Sequence, residues 1–442
     1  MRQPISWSAL ADASVGVWGL GVEGHASIRR LAVMGLRPSL VDDAPAAPEL
    51  DGLAVLATAD DGLTALLGCD VVIKSPGISR YRPEVAALEA AGVPVCGGLG
   101  LFVAEADPSR VACITGTKGK STTTAIAVHL LTGLGYDARA GGNIGRPPWD
   151  PDEKGDPDYW IVETSSFQVP DLAVAPHVVA VTSLSPDHLN WHGTVERYYA
   201  DKLSLCTKPG VEVAVADGSD ERLRAQAALM GPHVQWVNAE EVARDAGWSS
   251  ALGLAGPHNL RNASIARAVL VGLGIPGAAD DEALARAAAG FDGLPSRFRS
   301  LGRIGEVEFV DDGLSTNVLP AQAALAAYAD RPVALLVGGH DRGVDYEPLA
   351  RTVAERTAPT LVVTMPDNGP RIGAVVRAVS DGRVEVVDAD DLFAAVNAAF
   401  AWAKGGGIVL LSPAAPSFGR FGDYRERSAA FAEAAARYGT LS

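Results

Sequence analysis

Short apolar runs alternate with longer, mixed apolar and polar stretches along the whole chain. Val15-Gly16-Val17-Trp18 reads as a buried strand entering the glycine turn Gly19-Leu20-Gly21, and the spacing from Ala26 to Met34 predicts a helix. Leu40-Val41 is a second short strand, ending in Asp42-Asp43, and Val71-Val72-Ile73 is a third. A second block opens with the strand Val111 to Ile114. It passes through a glycine-lysine turn into a helix from about Ser121 to Leu134, then continues through strands at Trp160 to Val162 and His177 to Thr182. A third block contains strands at Val307 to Val310, Val333 to Val337, Thr360 to Thr364 and Ile408 to Leu411, with Ala-rich helical segments between them and at Ser428 to Arg437. Strands alternating with helices predict an α/β protein with parallel-rich sheets. Breaks near Ala106-Asp107-Pro108 and Gly293 to Arg297 divide it into residues 1–106, 107–297 and 298–442, the first of them Rossmann-like.

Length agrees with that division, because 442 residues are enough for two or three independent cores. Hydrophobic residues make up 48% of the chain and charged ones 20%, an ordinary globular balance. A formal net charge of −16 argues against nucleic acid or an anionic membrane as partner. Anionic ligands would therefore need local cations or metal ions. The four cysteines form no CxxC pair, so neither a disulfide framework nor a zinc site is expected, and four buried thiols are. The N-terminus lacks a basic region followed by an apolar stretch, and no apolar run approaches the ~18 residues of a membrane span. The expectation is a cytoplasmic protein without membrane insertion.

Chemistry is concentrated in a few segments. Thr115-Gly116-Thr117-Lys118-Gly119-Lys120-Ser121-Thr122 stands between a buried strand and a helix, which lets backbone N–H groups and a helix N-terminus face phosphates. Lys120 would neutralise the outer phosphates and Ser121 would offer a hydroxyl to Mg²⁺. The spacing is two residues shorter than the usual Walker loop, so that general pattern alone does not fit. Glu163 and His188 each follow a later strand, where ligands collect in open α/β sheets. A carboxylate and an imidazole there suit a divalent ion beside phosphates. Taken singly, Glu163 reads equally well as a helix cap and His188 as a satisfied structural side chain. Lys202 would be repelled by such a metal unless modified or salt-bridged. Gly19-Leu20-Gly21-Val22-Glu23-Gly24, with Asp42 and Asp43 downstream, fits the dinucleotide fingerprint. It leaves open a nucleotide-dependent dehydrogenase, a reading that does not account for the second loop.

The ordered series of motifs resembles the Mur ligases, over nearly the whole chain. The loop Thr115 to Thr122 is similar to the family's ATP loop, with Lys118 where Asn is usual. Glu163-Thr164-Ser165-Ser166-Phe167-Gln168, Asp187-His188-Leu189 with His192-Gly193, Tyr198 and Lys202, Gly256-Pro257-His258-Asn259 with Asn262, and Gly293 to Phe298 follow in family order. The resemblance implies three domains: a Rossmann-like domain for a UDP substrate, a central P-loop domain for ATP, and a Rossmann-like C-terminal domain for an amino acid. It implies an ADP-forming acid–amino-acid ligase of peptidoglycan synthesis, and the glutamate-adding branch fits best. There an acyl phosphate of UDP-N-acetylmuramoyl-L-alanine is captured by glutamate. Lys120, Glu163, His188 and Lys202 would be catalytic, with Ser121, Glu163 and His188 holding two Mg²⁺ ions and Lys202 carbamylated. Gly116 to Thr122, Asn259, Asn262, Arg297 and Asp312 would bind ATP. Gly19, Leu20, Gly21, Asp42, Ser75, Gly77, Asn143, Ser165 and Gln168 would bind the UDP substrate. Thr316, Arg342, Ser417, Phe418 and Tyr424 would meet the amino acid. Two departures fall where the family binds the acceptor: Leu314 and Arg342 stand where the family usually has lysines. With Lys118 they resemble the L-glutamate-adding subgroup, whose product a separate epimerase inverts; the alternative is drift in an ordinary D-glutamate enzyme. Small-molecule partners and a monomer are expected.

Overall fold

The computed structural model describes residues 3–254, 256–417 and 419–441. Its chain contacts form two compact units. One runs to Gly253 and includes His258–Phe291; the other comprises Leu254–Pro257 and the chain from Asp292 onward.

The first unit carries two six-stranded sheets. The N-terminal sheet is built from β1 (Val15–Trp18), β2 (Ser39–Asp42), β3 (Glu49–Leu50), β4 (Leu53–Ala57), β5 (Val71–Lys74) and β6 (Val95–Cys96), in the order β3-β4-β2-β1-β5-β6. All pairs are parallel except β3 with β4. The central sheet contains β7 (Val111–Thr115), β8 (Ala138–Gly142), β9 (Tyr159–Glu163), β10 (Val178–Val181), β11 (Val213–Asp217) and β12 (Val234–Val237), in the order β12-β11-β10-β7-β9-β8. Every pair in it is parallel. Strands covered on both faces read as unbroken apolar runs, and β1, β5, β7 and β10 are buried at every position.

The order of strands decides where ligands can sit. The connections that follow the neighbours β1 and β5 run to opposite sides of their sheet, and so do those that follow the neighbours β7 and β10. Such switch points open a crevice outside the strand carboxyl ends. The two sheets share one apolar core, in which Trp7 stacks on Trp149 with ring centroids 6.3 Å apart. Buried ions join them as well: Asp171 pairs with Lys74 and with Arg80, each at 2.6 Å.

The second unit holds β13 (Arg299–Ile304), β14 (Val307–Asp311), β15 (Val333–Val337), β16 (Thr360–Thr364), β17 (Glu385–Asp388) and β18 (Ile408–Leu411), in the order β13-β14-β18-β15-β16-β17. Only β13 and β14 are antiparallel, forming an edge hairpin. Three sheet-containing α/β layers are thus present, as the alternation of elements implied.

Several boundaries differ from the sequence expectation. The first helix begins at Val22, not Ala26, because Gly21 is its N-cap. The C-terminal helix runs Tyr424–Ala436, starting earlier than Ser428, since the Asp423 carboxylate accepts from the N–H groups of Arg425 and Glu426. Glu163 closes β9 instead of following it. Cys96 is half-buried, whereas the other three thiols are buried.

Candidate active site

The phosphate loop forms where β7 ends. Gly116 has φ +145°, and a Cβ there would lie 2.1 Å from the Thr182 hydroxyl at the end of β10. Gly119 is left-handed, and a Cβ would meet the Asn262 side-chain oxygen at 2.6 Å. Any other residue would strain the backbone and collide, so both glycines let the loop lie flat against its neighbours. Neighbouring backbone and hydroxyls pin the loop further. Thr117 N–H donates to the Ser183 carbonyl (2.9 Å), Lys118 N–H donates to Ser183 Oγ (2.8 Å), and the Thr182 hydroxyl donates to the Lys118 carbonyl (2.5 Å). The helix Lys120–Gly133 then starts with its N-terminus at the loop, a ready anion site. Thr122 stands half-buried in its first turn.

Glu163 comes to the same place because β9 is the direct neighbour of β7. Its carboxylate is buried and accepts the Ser121 hydroxyl at 2.5 Å and the Asn143 amide at 3.1 Å. Lys120 Nζ lies 4.0 Å from the other side of that carboxylate. From the helix Pro257–Gly272, Asn262 accepts from Thr123 (3.3 Å) and donates to Asn259 (3.3 Å).

His188 sits in the left-handed region at φ +53°, half exposed, its ring edge-on to Phe167 at 4.8 Å. Burial first, then the lysines around it against the opposing pull of Asp187, lowers its pKa below the usual imidazole range. The neutral ring is the form that binds metals. Lys202 is fully buried, its ammonium donating to the Gly116 carbonyl at 2.9 Å and lying over the Tyr198 ring at 5.1 Å. Burial, and next the charge of Lys120, pushes its pKa well below normal.

The donor set bears on metal binding. Among the described residues, no group of three or more His, Cys, Asp or Glu side chains is placed to hold an ion. One carboxylate beside one hydroxyl fits Mg²⁺, which takes one or two protein oxygens and completes its shell with waters and phosphate oxygens. It would not fit an all-protein cage.

The UDP-substrate candidates gather at the carboxyl ends of β1, β2 and β5. Gly19 has φ +91°, Leu20 N–H donates to the Asp42 carboxylate (2.7 Å), and the Ser75 hydroxyl donates to the Gly19 carbonyl (2.5 Å). The Asp42 carboxylate thus holds the glycine turn itself. Gly21 and Gly77 are exposed with open space around them. Gln168 fixes its own segment by accepting from Ser165 N–H (2.7 Å), and its amide donates to Glu23 at 2.6 Å.

Arg297 and Asp312 belong to the second unit. There the Asp312 carboxyl, pushed up to about 7 mainly by burial, accepts from the Ser412 hydroxyl (2.7 Å) and from Phe298 N–H (3.2 Å). Thr316, Arg342 and Ser417 follow β14, β15 and β18, three adjacent strands, and Tyr424 opens the last helix. Phe418 lies outside the described residues.

Sequence reasoning missed two networks. In the second unit the buried Arg427 guanidinium donates to the carbonyls of Gly313 (2.7 Å) and Ala415 (3.1 Å), tying together two of the loops that carry the amino-acid candidates. Burial lowers its pKa to about 10. In the first unit Tyr81 donates to Asp201 (2.5 Å), Asp201 contacts His192 Nδ1 (2.6 Å), and His192 Nε2 contacts Ser166 (3.0 Å). An arginine on the apolar face of an Ala-rich helix was a visible signal for the first. Nothing local marked the second.

A glycine-lysine loop, a buried hydroxyl–carboxylate pair and a buried lysine meet at the carboxyl end of one parallel sheet, an arrangement suited to a nucleotide-dependent phosphoryl-transfer centre. Residues 13–97 match the Mur ligase MurD-like N-terminal domain and residues 114–251 the Mur ligase middle domain. The chain belongs to the Mur ligase family, whose members are ATP-dependent amide-forming enzymes. It is 40% identical to the UDP-N-acetylmuramoyl-L-alanine--L-glutamate ligase of Xanthomonas oryzae pv. oryzae, covering 97% of this chain and 96% of that protein. It is 39% identical to the ligase of the same name from a Micromonospora species, covering 97% of both. Among solved structures, the fold is similar to the UDP-N-acetylmuramate-alanine ligase MurC of Thermotoga maritima (TM-score 0.56, 18% identity, 95% of this chain and 98% of that one). It is similar also to MurF of Acinetobacter baumannii (TM-score 0.57, 14% identity, 95% and 90%). The dehydrogenase reading of the first glycine motif finds no support in these matches. No helix among the described residues is long and apolar enough to cross a membrane.

Proposed function

We propose that this protein joins L-glutamate to UDP-N-acetylmuramoyl-L-alanine at the expense of ATP, in peptidoglycan synthesis. The observation that carries this reading is the meeting of Lys120, Ser121 and Glu163 at the carboxyl ends of β7 and β9. High-coverage likeness to L-glutamate ligases supports the choice of acceptor. Residues 1–106 receive the nucleotide substrate, 107–297 ATP and 298–442 the amino acid.

The substrate carboxylate attacks the γ-phosphorus of ATP, ADP leaves, and an acyl phosphate forms. The glutamate amine then attacks the acyl carbon and phosphate departs. Several anions must meet, so positioning and charge neutralisation dominate catalysis. Gly116 to Thr122 cradle the phosphates by backbone N–H groups, and Lys120 holds the transferred group. Asn259, Asn262, Arg297 and Asp312 complete the ATP contacts. Ser121 and Glu163 would hold one Mg²⁺ and His188 a second; the ions supply charge neutralisation at the phosphates. Burial lowers the pKa of Lys202 and so favours its neutral amine, the form that adds to CO₂, giving a carbamate and releasing one proton. Gly19, Leu20, Gly21, Asp42, Ser75, Gly77, Asn143, Ser165 and Gln168 position the nucleotide substrate. Thr316, Arg342, Ser417, Phe418 and Tyr424 position glutamate. In this reading the protein works as a cytoplasmic monomer, and a separate epimerase inverts the glutamyl centre afterwards.

Phosphate release with ATP, Mg²⁺, UDP-N-acetylmuramoyl-L-alanine and either L- or D-glutamate tests the assignment. Release with L-glutamate alone is expected. Equal or faster release with D-glutamate overturns the choice of acceptor, and no release with either overturns the ligase reading.

A further inference from the structure

In the second unit, the last helix sends one cation back into the protein. Arg427 stands in the first turn of Tyr424–Ala436 and is 1% exposed. Among the described residues it has no carboxylate at salt-bridge distance. Asp311, whose charge it feels, is engaged instead by the Gly313 N–H and the Ser428 hydroxyl, each at 2.9 Å. A buried cation without a paired anion is costly, and the helix dipole disfavours a positive charge in a first turn. An apolar side chain of similar size would suit the fold at least as well. The position calls for a role other than stability.

Its contacts supply one. The guanidinium donates to the carbonyls of Gly313 (2.7 Å) and Ala415 (3.1 Å) and turns its other amino group to the carbonyl of Gly338, 3.5 Å away. Gly313 follows β14, Gly338 follows β15 and Ala415 follows β18; these strands lie side by side and parallel, in the order β14-β18-β15. One planar group thus meets three loops at the carboxyl edge of one sheet. Backbone also joins the loops of β15 and β18, where Gly338 N–H donates to Pro413 and His340 N–H to Pro416, each at 2.9 Å. Gly339 fits between them only as glycine: its φ is +148°, and a Cβ would lie 2.2 Å from the Pro416 carbonyl oxygen and 3.1 Å from the Arg427 guanidinium.

The same loops lead to Thr316, Arg342 and Ser417, the candidates for holding glutamate. Mirror-image acids carry identical groups, so a site separates them only when several contacts are fixed relative to one another. Here the contacts come from separate loops, and whatever spaces the loops spaces the contacts. We propose that Arg427 is the positioning residue of the acceptor site: by fixing the spacing of the β14, β15 and β18 loops it sets both the affinity for the amino acid and the preference for its L form. This rests on the glutamate-ligase reading above and adds a residue that acts through the loops and not by touching the substrate.

Steady-state phosphate release by Arg427→Lys and Arg427→Met, with each substrate varied in turn, tests this. Lysine keeps the charge but cannot span the loops, and methionine keeps apolar bulk alone. Arg427→Lys should raise the KM for L-glutamate about tenfold, the effect of one charge-assisted hydrogen bond, and lower the preference for L- over D-glutamate by a similar factor. Arg427→Met should do more of both. The KM values for ATP and for UDP-N-acetylmuramoyl-L-alanine should stay unchanged. A purely structural arginine would lower the thermal midpoint and the folded fraction, which scales the apparent kcat but leaves KM and the L-to-D ratio alone. Should the variants not fold, hydrogen exchange of the unmodified protein decides. With ADP, Mg²⁺ and the nucleotide substrate present, L-glutamate should protect residues 313–316, 338–342 and 413–417 together. The proposal is overturned if Arg427→Lys keeps the parent's KM for L-glutamate and its L-to-D preference, if all three KM values rise alike, or if L-glutamate protects one loop and leaves the other two unchanged. Absence of glutamate-dependent phosphate release by the unmodified protein is a different result: it overturns the ligase reading, and this proposal with it.

Discussion

The Ser121 hydroxyl donates to Glu163 at 2.5 Å, although the two residues belong to different elements. Both would be oxygen ligands of one Mg²⁺, and Lys120, 4.0 Å from the same carboxylate, supplies the fixed positive charge. Removing either charge should therefore damage chemistry more than folding. Lys120→Ala and Glu163→Gln should each lower ATP-dependent turnover by about two orders of magnitude or more, in line with the loss of one preorganised electrostatic group. The thermal midpoint should stay close to that of the parent. Glu163→Gln should also raise the Mg²⁺ concentration needed for half-maximal rate. Turnover within a few-fold of normal in both variants would remove the basis for the site.

Lys202 is buried without a carboxylate partner at salt-bridge distance among the described residues, and its pKa is driven down chiefly by burial. An uncharged amine in that position is a nucleophile toward CO₂, and the resulting anion would relieve the clash with Lys120. ¹³C-bicarbonate should therefore produce a carbamate resonance in the unmodified protein and none in Lys202→Arg. Turnover should fall when CO₂ is stripped from the buffer and recover when bicarbonate is restored. A normal rate without CO₂ and without the resonance would leave Lys202 as a structural amine.

How far this centre was legible in the sequence follows from which parts are local. The loop Gly116 to Ser121 is a single segment, and its glycines, lysine and hydroxyl announce a phosphate site before any tertiary contact is known. Glu163 was legible only as a carboxylate at a strand end. Its meeting with Ser121 depends on β9 pairing with β7 although β8 intervenes in sequence, and no local pattern encodes that order. Ala138–Gly142 and Glu385–Asp388 went unread as strands, the first because Ala and Gly carry little strand preference. The second is an edge strand with no fully buried position. The chain Tyr81, Asp201, His192 and Ser166 draws on four separate segments, and each residue alone looks like ordinary surface or core. Arg427 left a signal, an arginine on the apolar face of an Ala-rich helix, but composition places arginine in water, and only the cluster of loop carbonyls explains its burial.

Glu23 joins the glycine turn of the first sheet to Gln168, and its second carboxylate oxygen is buried without a hydrogen-bond partner among the described residues. Burial raises its pKa from about 4.5 to about 7, with the Gln168 amide pulling the other way. Between those values the folded protein holds a proton that the unfolded chain has released, so this residue makes stability fall as pH rises through that window. Glu23→Gln keeps the acceptor for Gln168 and abolishes the titration. Relative to the variant, the parent should lose on the order of 2 kcal/mol between pH 5 and 8. Denaturant unfolding of both proteins at several pH values measures the difference. Parallel pH profiles would show that the Glu23 carboxyl titrates at an ordinary value.

Arg342 and Leu314 follow β15 and β14, strands of one sheet separated by β18, and stand where lysines were expected from the resemblance. Glutamate presents two carboxylates, and a guanidinium holds a carboxylate through two parallel N–H donors where an ammonium offers a point charge. The angle of that fork is one means of distinguishing the two mirror-image acids. Arg342→Ala should raise the KM for L-glutamate by about one to two orders of magnitude, the loss of a charge-assisted pair, and leave the KM for ATP unchanged. Arg342→Lys should recover part of the affinity but less of the preference for L- over D-glutamate. Leu314→Lys, alone and with Arg342→Lys, tests whether restoring the lysines admits D-glutamate. If Arg342→Ala leaves the KM for L-glutamate where it was, the acceptor is held elsewhere in the unit.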